Sequence, residues 1–408
     1  MTLDSNATST AGSSAGPRFG IFLGPFHNPR QNNALALERD LQLCELLDEL
    51  GFDEAWFGEH HSGGYEVSPM PELMIAAAAQ RTKRLTLASG VISLPYHHPL
   101  MVADRMAFLD HLTRGRVIFG VGPGALPNDS YMMGMDYGRL RTRMEESLDA
   151  IIELFESDEP VNVKSDWFEL REARIHVKGY KRKRVRLAAA QAVSPAGPKL
   201  AGKHGIGLVS FGSTSAAGVE AMKQTWEIVE QQAGIHGQSV SRSDWSMVTM
   251  MHLAETEEQA VEDVGYGFDD FFGYHHIVNA SDMWSAEENL SRAQKCRRIF
   301  EAGAGVVGTP EMAVQHVQRI LDSSGGVGSI LLFATEWANR EAMFRSYELF
   351  AREVMPHFDG SIAARVNSYD WYQERRQAGL ETVDAGQKRA TEEYQARQAA
   401  ASPTRLAQ

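Results

Sequence analysis

The sequence predicts a closed (β/α)8 TIM barrel, with an insertion before the last strand and a helical extension at the C-terminus. Three observations predict it. Short apolar runs rich in β-branched residues alternate with longer segments of helical periodicity between Arg18 and Phe358. The runs read as unbroken apolar stretches, the mark of parallel strands covered on both faces. The alternation repeats about eight times, which favours closure over an open sheet.

The elements follow in order. Residues 1–17 are rich in Ser, Ala, Thr and Gly and read as a disordered tail. Phe19–Leu23 is a short apolar strand ending in Gly-Pro, and Leu35–Leu50 has helical spacing and stops at Gly51. Asp53–Gly58 is the second strand, ahead of the polar turn Glu59-His60-His61-Ser62-Gly63-Gly64. Pro71–Gln80 is an Ala-rich helix, Leu85–Leu94 a buried strand and Leu100–Leu112 a helix. Val117–Val121 is a strand followed by a Gly/Pro-rich loop, and Arg139–Glu156 is a long amphipathic helix. Val185–Ala190 with Pro195–His204, then Ile206–Ser210 with Ala216–Gly234, continue the alternation. Ser246–Ala254 and Gly328–Ala334 are the last two barrel strands, and Asn339–Val354 the final barrel helix. Residues 255–304 are too long and too polar and aromatic for one barrel helix, so they read as a lid-forming insertion into the 18–358 barrel. Residues 359–408 are rich in Ala, Arg, Gln and Glu with little apolar periodicity, so they read as a helical or partly disordered extension.

Composition bounds the function. The 408 residues are 43% hydrophobic and 23% charged, enough for one large core. A net charge of −13 argues against nucleic acid as a partner. Cys44 and Cys296 form neither a disulfide framework nor a zinc pattern. No run of about 18 apolar residues is present, and the N-terminus lacks a charged start and an apolar core, so neither a membrane span nor a signal peptide is expected. The cytoplasm is the default compartment.

In such a barrel the chemistry belongs on the loops after the strands. The second strand leads into Glu59, His60 and His61; the third into Tyr96, His97 and His98; the fourth into Gly122-Pro123-Gly124; the fifth into Ser194-Pro195-Ala196-Gly197. Adjacent histidines on a strand end point to opposite faces, and no HxH or HExxH pattern completes a set, so no metal is expected. Some of these histidines, His97 and His98 above all, have the alternative role of capping backbone groups. Ser194 is a favoured helix N-cap and Pro195 a favoured first helical residue, so the turn offers an anion free N–H groups. Gly122 and Gly124 lack the rest of a dinucleotide fingerprint. They let backbone approach a flat ring instead. Tyr131–Met135 and Phe268–His276 are apolar and aromatic; any one of these residues reads first as core packing, and together over a barrel mouth they would make a dry pocket.

Taken together, the motifs GFDEAWFGEHH, SGVISLPYHHPLMVADRMAFLDHLTRGRVIFGVGPG, the Ser-Pro helix start and VVGTPEMAVQHVQRI resemble, in order, the bacterial luciferase-like flavin-dependent monooxygenases over nearly the whole folded chain. GEHHSGG, LPYHHPLMVADRM and GVGPGALPNDSYMMG are most similar to members of the limonene-monooxygenase type. The resemblance implies reduced flavin (FMN or FAD), O2 and a separate NAD(P)H-dependent flavin reductase. It implies a small apolar substrate, with limonene-type epoxidation as the specific expectation, and a homodimer. His60 matches the histidine beside the flavin ring that manages the proton of the reacting oxygen, with Glu59 and His61 positioning it. Gly90 and Val91 match a site where the family often has a non-proline cis peptide against the ring. Gly122 matches a position facing the ring's reactive edge, and Ser194, Ala196 and Gly197 match the phosphate turn. Pro123 stands where the luciferases carry a phosphate-contacting arginine, which leaves FMN and FAD both open. Two other readings remain: a deazaflavin-dependent hydride transfer enzyme of the same superfamily, and a non-catalytic flavin-binding relative.

Overall fold

The structure is a computed structural model that describes residues 16–182, 184–192, 194–213, 216–279 and 290–401. Nearly all of the expected N-terminal tail, and residues 280–289 of the expected insertion, lie outside the described residues. The chain divides into two units, one ending at Phe358 and the other starting at Asp359.

Eleven strands are described: β1 Arg18–Leu23, β2 Glu54–Phe57, β3 Thr86–Ser93, β4 Val117–Gly122, β5 Val161–Lys164, β6 Glu169–Ala173, β7 Leu187–Gln191, β8 Gly207–Ser213, β9 Trp245–Leu253, β10 Gly305–Gly308 and β11 Ser329–Ala334. Eight of them pair in parallel around a closed circuit, β1-β2-β3-β4-β7-β8-β9-β11 and back to β1. This is the predicted (β/α)8 barrel. Its strands are buried on both faces, and the two-residue period sorts each strand between them. Phe22, Trp56, Ala88, Ile118, Ala188, Val209, Val248 and Leu331 fill the interior. Phe19, Ile21, Ala55, Phe57, Leu87, Val117 and Phe119 pack outward in the layer beneath the helices. Gly120 is glycine because a Cβ there would lie 2.2 Å from the Ser89 carbonyl oxygen and 2.9 Å from the Trp56 ring. Trp56 in turn donates its indole N–H to Glu54 Oε2 at 2.9 Å, while Arg18 Nε reaches Glu54 Oε1 at 2.9 Å. The buried Glu54 carboxylate is thereby hydrogen-bonded on both oxygens.

Helix boundaries fall where the local chemistry puts them. Asn32 caps helix 33–50 by accepting from Leu35 N at 3.2 Å, and Gly51, at φ +89°, ends it in a left-handed turn. The long helix 140–156 ends on Lys178, whose Nζ lies 3.0, 2.9 and 2.8 Å from the carbonyls of Leu154, Phe155 and Ser157. That ammonium sits where the helix dipole is negative.

Three strands escaped the sequence reading. β5 and β6 form an antiparallel hairpin outside the barrel, with mixed burial and only short apolar content. Among the described residues β10 pairs only with β9, and takes over from β11 along it: β9 pairs with β11 from Ser246 to Met250 and with β10 from Met250 to Leu253. The segment ahead of β10 carries helices 257–263, 268–279 and 292–301. The C-terminal unit is helical over 363–374 and 376–401.

Candidate active site

Glu59, His60 and His61 leave β2 at the C-terminal rim of the barrel. The loop folds back on itself: His60 N donates to Ser68 O at 3.1 Å, Val67 N to Pro25 O at 3.1 Å, and Glu66 pairs with Phe26 in an antiparallel bridge. This return brings Glu66 to His60, with Glu66 Oε2 lying 3.3 Å from His60 Nε2. Asp129, from the short helix 127–132 after β4, faces the other ring nitrogen at 3.7 Å and accepts from His61 N at 3.2 Å. The Ser62 hydroxyl donates to the same carboxylate.

A second network lies beside the first. Glu59 is buried and accepts from Ser93 N at 3.1 Å, while its other oxygen stands 3.2 Å from His61 Nε2 and 3.4 Å from His97 Nε2. Glu59 therefore holds the β2 loop against the end of β3, where the peptide Gly90-Val91 is cis. Val91 lies over Gly122: a Cβ on Gly122 would come within 2.5 Å of Val91 Cγ2. A Cβ on Gly90 would lie 2.4 Å from the Phe22 ring. Tyr96 closes this side, its ring 5.8 Å from His61, and its buried hydroxyl has no partner among the described residues.

The electrostatics follow from this layout. Burial pulls His60 down, but the charges of Glu66 and Asp129 outweigh it and hold the imidazole above its ordinary value. His61 is raised chiefly by its bond to Glu59. Burial works against ionising Glu59 and Asp129, yet their histidine partners and, for each, a backbone N–H keep both below the usual carboxylate range. His60 thus sits between Glu66 and Asp129 in a setting that favours its protonated form.

Apolar groups surround this cluster. Phe22 stands 4.7 Å from Phe211 and 5.7 Å from Phe333 by ring centroids. Helix 268–279 lies across the ends of β1 and β11, with Phe271 5.6 Å from Phe333 and Tyr274 5.4 Å from Phe26. A separate cavity of about 210 Å³ lies behind Phe26 and Tyr65, and its polar walls pair with each other, as in Asn28 Nδ2 to Asp270 Oδ2 at 3.2 Å.

The sequence-derived residues fall as follows. Glu59, His60, His61, Gly90, Val91 and Gly122 share the rim from β2 to β4. Ser194, Ala196 and Gly197 follow β7. The helix there begins at Ala196, one residue later than expected, and Pro195 occupies the cap position. The Ser194 hydroxyl still accepts from Ala196 N, at 3.3 Å. A Cβ on Gly197 would lie 2.2 Å from Ala190 O, so its glycine identity follows from close packing of this helix on β7. His97 turns to Glu59, whereas His98 is exposed at the start of helix 99–112 and makes no side-chain cap. The expectation of a pocket wall at Tyr131–Met135 fails for its first two residues. The segment 127–132 is helical, and Tyr131 and Met132 are 82% and 59% exposed. Glu66, Asp129 and Tyr274 were missed. Asp129 and Tyr274 lie inside segments already singled out, GVGPGALPNDSYMMG and Phe268–His276, and Glu66 follows the turn after β2, but none was read as a partner of His60; their convergence is tertiary.

A family model described as luciferase-like monooxygenase matches residues 18–327. The chain is 43% identical to limonene 1,2-monooxygenase of Rhodococcus erythropolis over 381 residues, covering 93% of this chain and 97% of that protein. It is 40% identical to 4-hydroxyprotoasukamycin monooxygenase of Streptomyces nodosus subsp. asukaensis, covering 88% and 97%. Among solved structures, a monooxygenase from Streptomyces bottropensis is similar with a TM-score of 0.72 at 26% identity, covering 83% of this chain and 99% of that one. The oxygenating constituent of 3,6-diketocamphane monooxygenase from Pseudomonas putida, in complex with FMN, shares the fold with a TM-score of 0.71 at 23% identity, covering 84% and 98%. The chain belongs to the luciferase-like monooxygenase family and is a flavin-dependent monooxygenase.

Proposed function

We propose that this enzyme is the oxygenase of a two-component system that takes reduced FMN or FAD from a separate NAD(P)H-dependent reductase and epoxidises a small apolar alkene of the limonene type. The observation that carries this is the placement of His60 between Glu66 and Asp129, which favours its protonated form, at a rim walled by Phe22, Phe211 and Phe333.

The rim fits a flavin. Gly90 and Gly122 let Phe22 and Val91 pack close against the strands, Val91 offers an apolar edge, and the unpartnered Tyr96 hydroxyl is a donor in reserve. Ser194, Ala196 and Gly197 supply the N–H groups of a helix start for a phosphate. Pro123 adds no cation there. When bound, reduced flavin supplies the two electrons that activate O2. The chain's own residues then set three conditions. The aromatic wall and helix 268–279 keep water out, with the described part of the insertion acting as the lid. Glu59 fixes His61 and the β2 loop. His60 keeps its proton and presents it to the reacting oxygen, which keeps that oxygen electrophilic and suited to an alkene rather than to an aldehyde. The 43% identity to limonene 1,2-monooxygenase favours the same substrate class. The diketocamphane relative, an oxygenating constituent in complex with FMN, favours a separate reductase.

A homodimer is part of the proposal. Leu73 on helix 71–81, and Met101, Phe108 and Leu112 on helix 99–112, are exposed apolar residues on neighbouring helices joined by Arg105 Nε and Glu72 Oε1 at 3.1 Å. Among the described residues no helix is long and apolar enough to cross a membrane.

The test is turnover with a reductase, NADH, each flavin and a panel of limonene, an aliphatic aldehyde and a cyclic ketone. The expected result is O2-dependent epoxide from the alkene, with His60→Ala retaining flavin binding but losing coupled product. Wild-type-like epoxidation by His60→Ala, or flavin-linked hydride transfer without O2 consumption, would refute the assignment.

A further inference from the structure

Helix 268–279 places one hydroxyl in the His60 network. Tyr274 Oη donates to Glu66 Oε2 at 2.8 Å, and that same oxygen stands 3.3 Å from His60 Nε2. The surroundings leave room for this contact and little else. A Cβ on Gly63 would lie 2.7 Å from the Tyr274 hydroxyl, and one on Gly24 would lie 2.8 Å from Glu66 Oε1. The Tyr274 ring is wedged between Phe26 and Tyr65, at 5.4 and 5.1 Å by centroids. Burial first, and then the Glu66 carboxylate, push the phenol well above its ordinary value, so it stays a donor at any working pH. Asp129, on the far side of His60, is matched in the same way by the Ser62 hydroxyl. Both carboxylates that flank the imidazole therefore share their charge with a hydroxyl. Ser62 comes from the site's own loop. Tyr274 comes from the segment between β9 and β10.

We propose that Tyr274 is a positioning residue for the oxygenation, whose hydrogen bond to Glu66 sets how much of that carboxylate's charge reaches His60 and so ties the proton on His60 to the seating of helix 268–279 over the barrel mouth. The inference rests on His60 being the acid–base group proposed above. An oxygen that already accepts from a phenol is a weaker partner for an imidazolium. Removing the phenol donor frees the full carboxylate charge for His60, which should then hold its proton to higher pH. Removing the Glu66 charge should do the opposite. The other groups that face His60, namely Glu59, Asp129, His61 and His275, are the same in both variants.

The experiment uses the full chain with labelled histidine, as wild type, Tyr274→Phe and Glu66→Gln. The His60 resonance is assigned by its loss in His60→Ala and titrated without flavin. Its midpoint is expected to rise by about 0.5–1 pH unit in Tyr274→Phe and to fall by about 1 pH unit or more in Glu66→Gln. The pH profile of coupled turnover should then shift the same way. A Tyr274→Phe midpoint that is unmoved or lowered overturns the proposal, as does movement of both variants in one direction. A midpoint that moves as expected under an unmoved pH profile overturns the acid–base reading of His60 instead. Tyr274→Phe keeps the ring and its packing, so its sign decides the matter even if Glu66→Gln does not fold.

Discussion

Replacing His27 by Gln would test the clamp that anchors the loop after β1 behind the active site. His27 is buried, with Nε2 2.9 Å from Asp40 Oδ2 and Nδ1 3.5 Å from Glu336 Oε1, and Arg39 reaches the same Glu336 oxygen at 2.6 Å. Burial alone would pull the imidazole down. The hydrogen bonds to Asp40 and Glu336 outweigh it and raise the pKa from 6.5 to about 9. That span corresponds to about 3 kcal/mol, at about 1.4 kcal/mol per pH unit. Burial also pushes the Asp40 carboxyl up, which offsets part of the gain and makes this figure a ceiling. The folded pKa lies above the unfolded one, so the contribution is complete below pH 6.5 and is lost as pH rises through about 9. His27→Gln should therefore be less stable than wild type by about 2–3 kcal/mol near pH 6, with the gap closing to about 1 kcal/mol or less near pH 10. Urea unfolding followed by tryptophan fluorescence across that range measures the gap. A gap that stays constant or widens toward alkaline pH would refute the reasoning. His27 N also donates to Tyr65 O at 2.8 Å, next to Glu66, so the variant should loosen the His60 loop and lower turnover as well.

Other consequences are as direct. Gly122→Ala should weaken flavin binding about tenfold or more, because its Cβ would meet Val91 Cγ2 at 2.5 Å and push Val91, part of the proposed cradle, out of place; flavin fluorescence titration measures this, and unchanged affinity would remove Gly122 from the cradle. Glu59→Gln should lower turnover more than flavin affinity, since it removes the charge that orients His61 and His97; equal loss of both would point to a collapsed loop. Lys178→Met should cost about 1–3 kcal/mol of stability by uncapping helix 140–156, with turnover per folded molecule unchanged. Phe108→Glu with Leu73→Glu should yield monomers in sedimentation if the exposed stripe is the dimer face; an unaltered oligomer would place the interface elsewhere.

Much of this protein is local, and local features are legible in a sequence. Phe19–Leu23 and Leu85–Leu94 read as strands because both faces of a barrel strand are buried, so the apolar run is continuous. Gly51 marks a helix end because a left-handed turn suits glycine. Glu59, His60 and His61 sit together because one strand end delivers them. The short strands β5, β6 and β10 were not legible. The hairpin has little apolar content, and Gly305–Gly308 becomes a strand only because the upper half of β9 offers it a free edge.

The sequence by itself determined the barrel, its phase of alternation and the motif that ends β2. Tertiary structure alone decided what surrounds His60. Tyr274 and Glu66 are 208 residues apart, and Ser62 and Asp129 are 67 apart, yet each pair shares one carboxylate. Periodicity reports which face of an element is buried, but it carries no record of which distant side chains meet there. The proton on His60 depends on those meetings, through burial and charges within a few ångströms, and they exist only once the barrel has closed and helix 268–279 lies across its mouth.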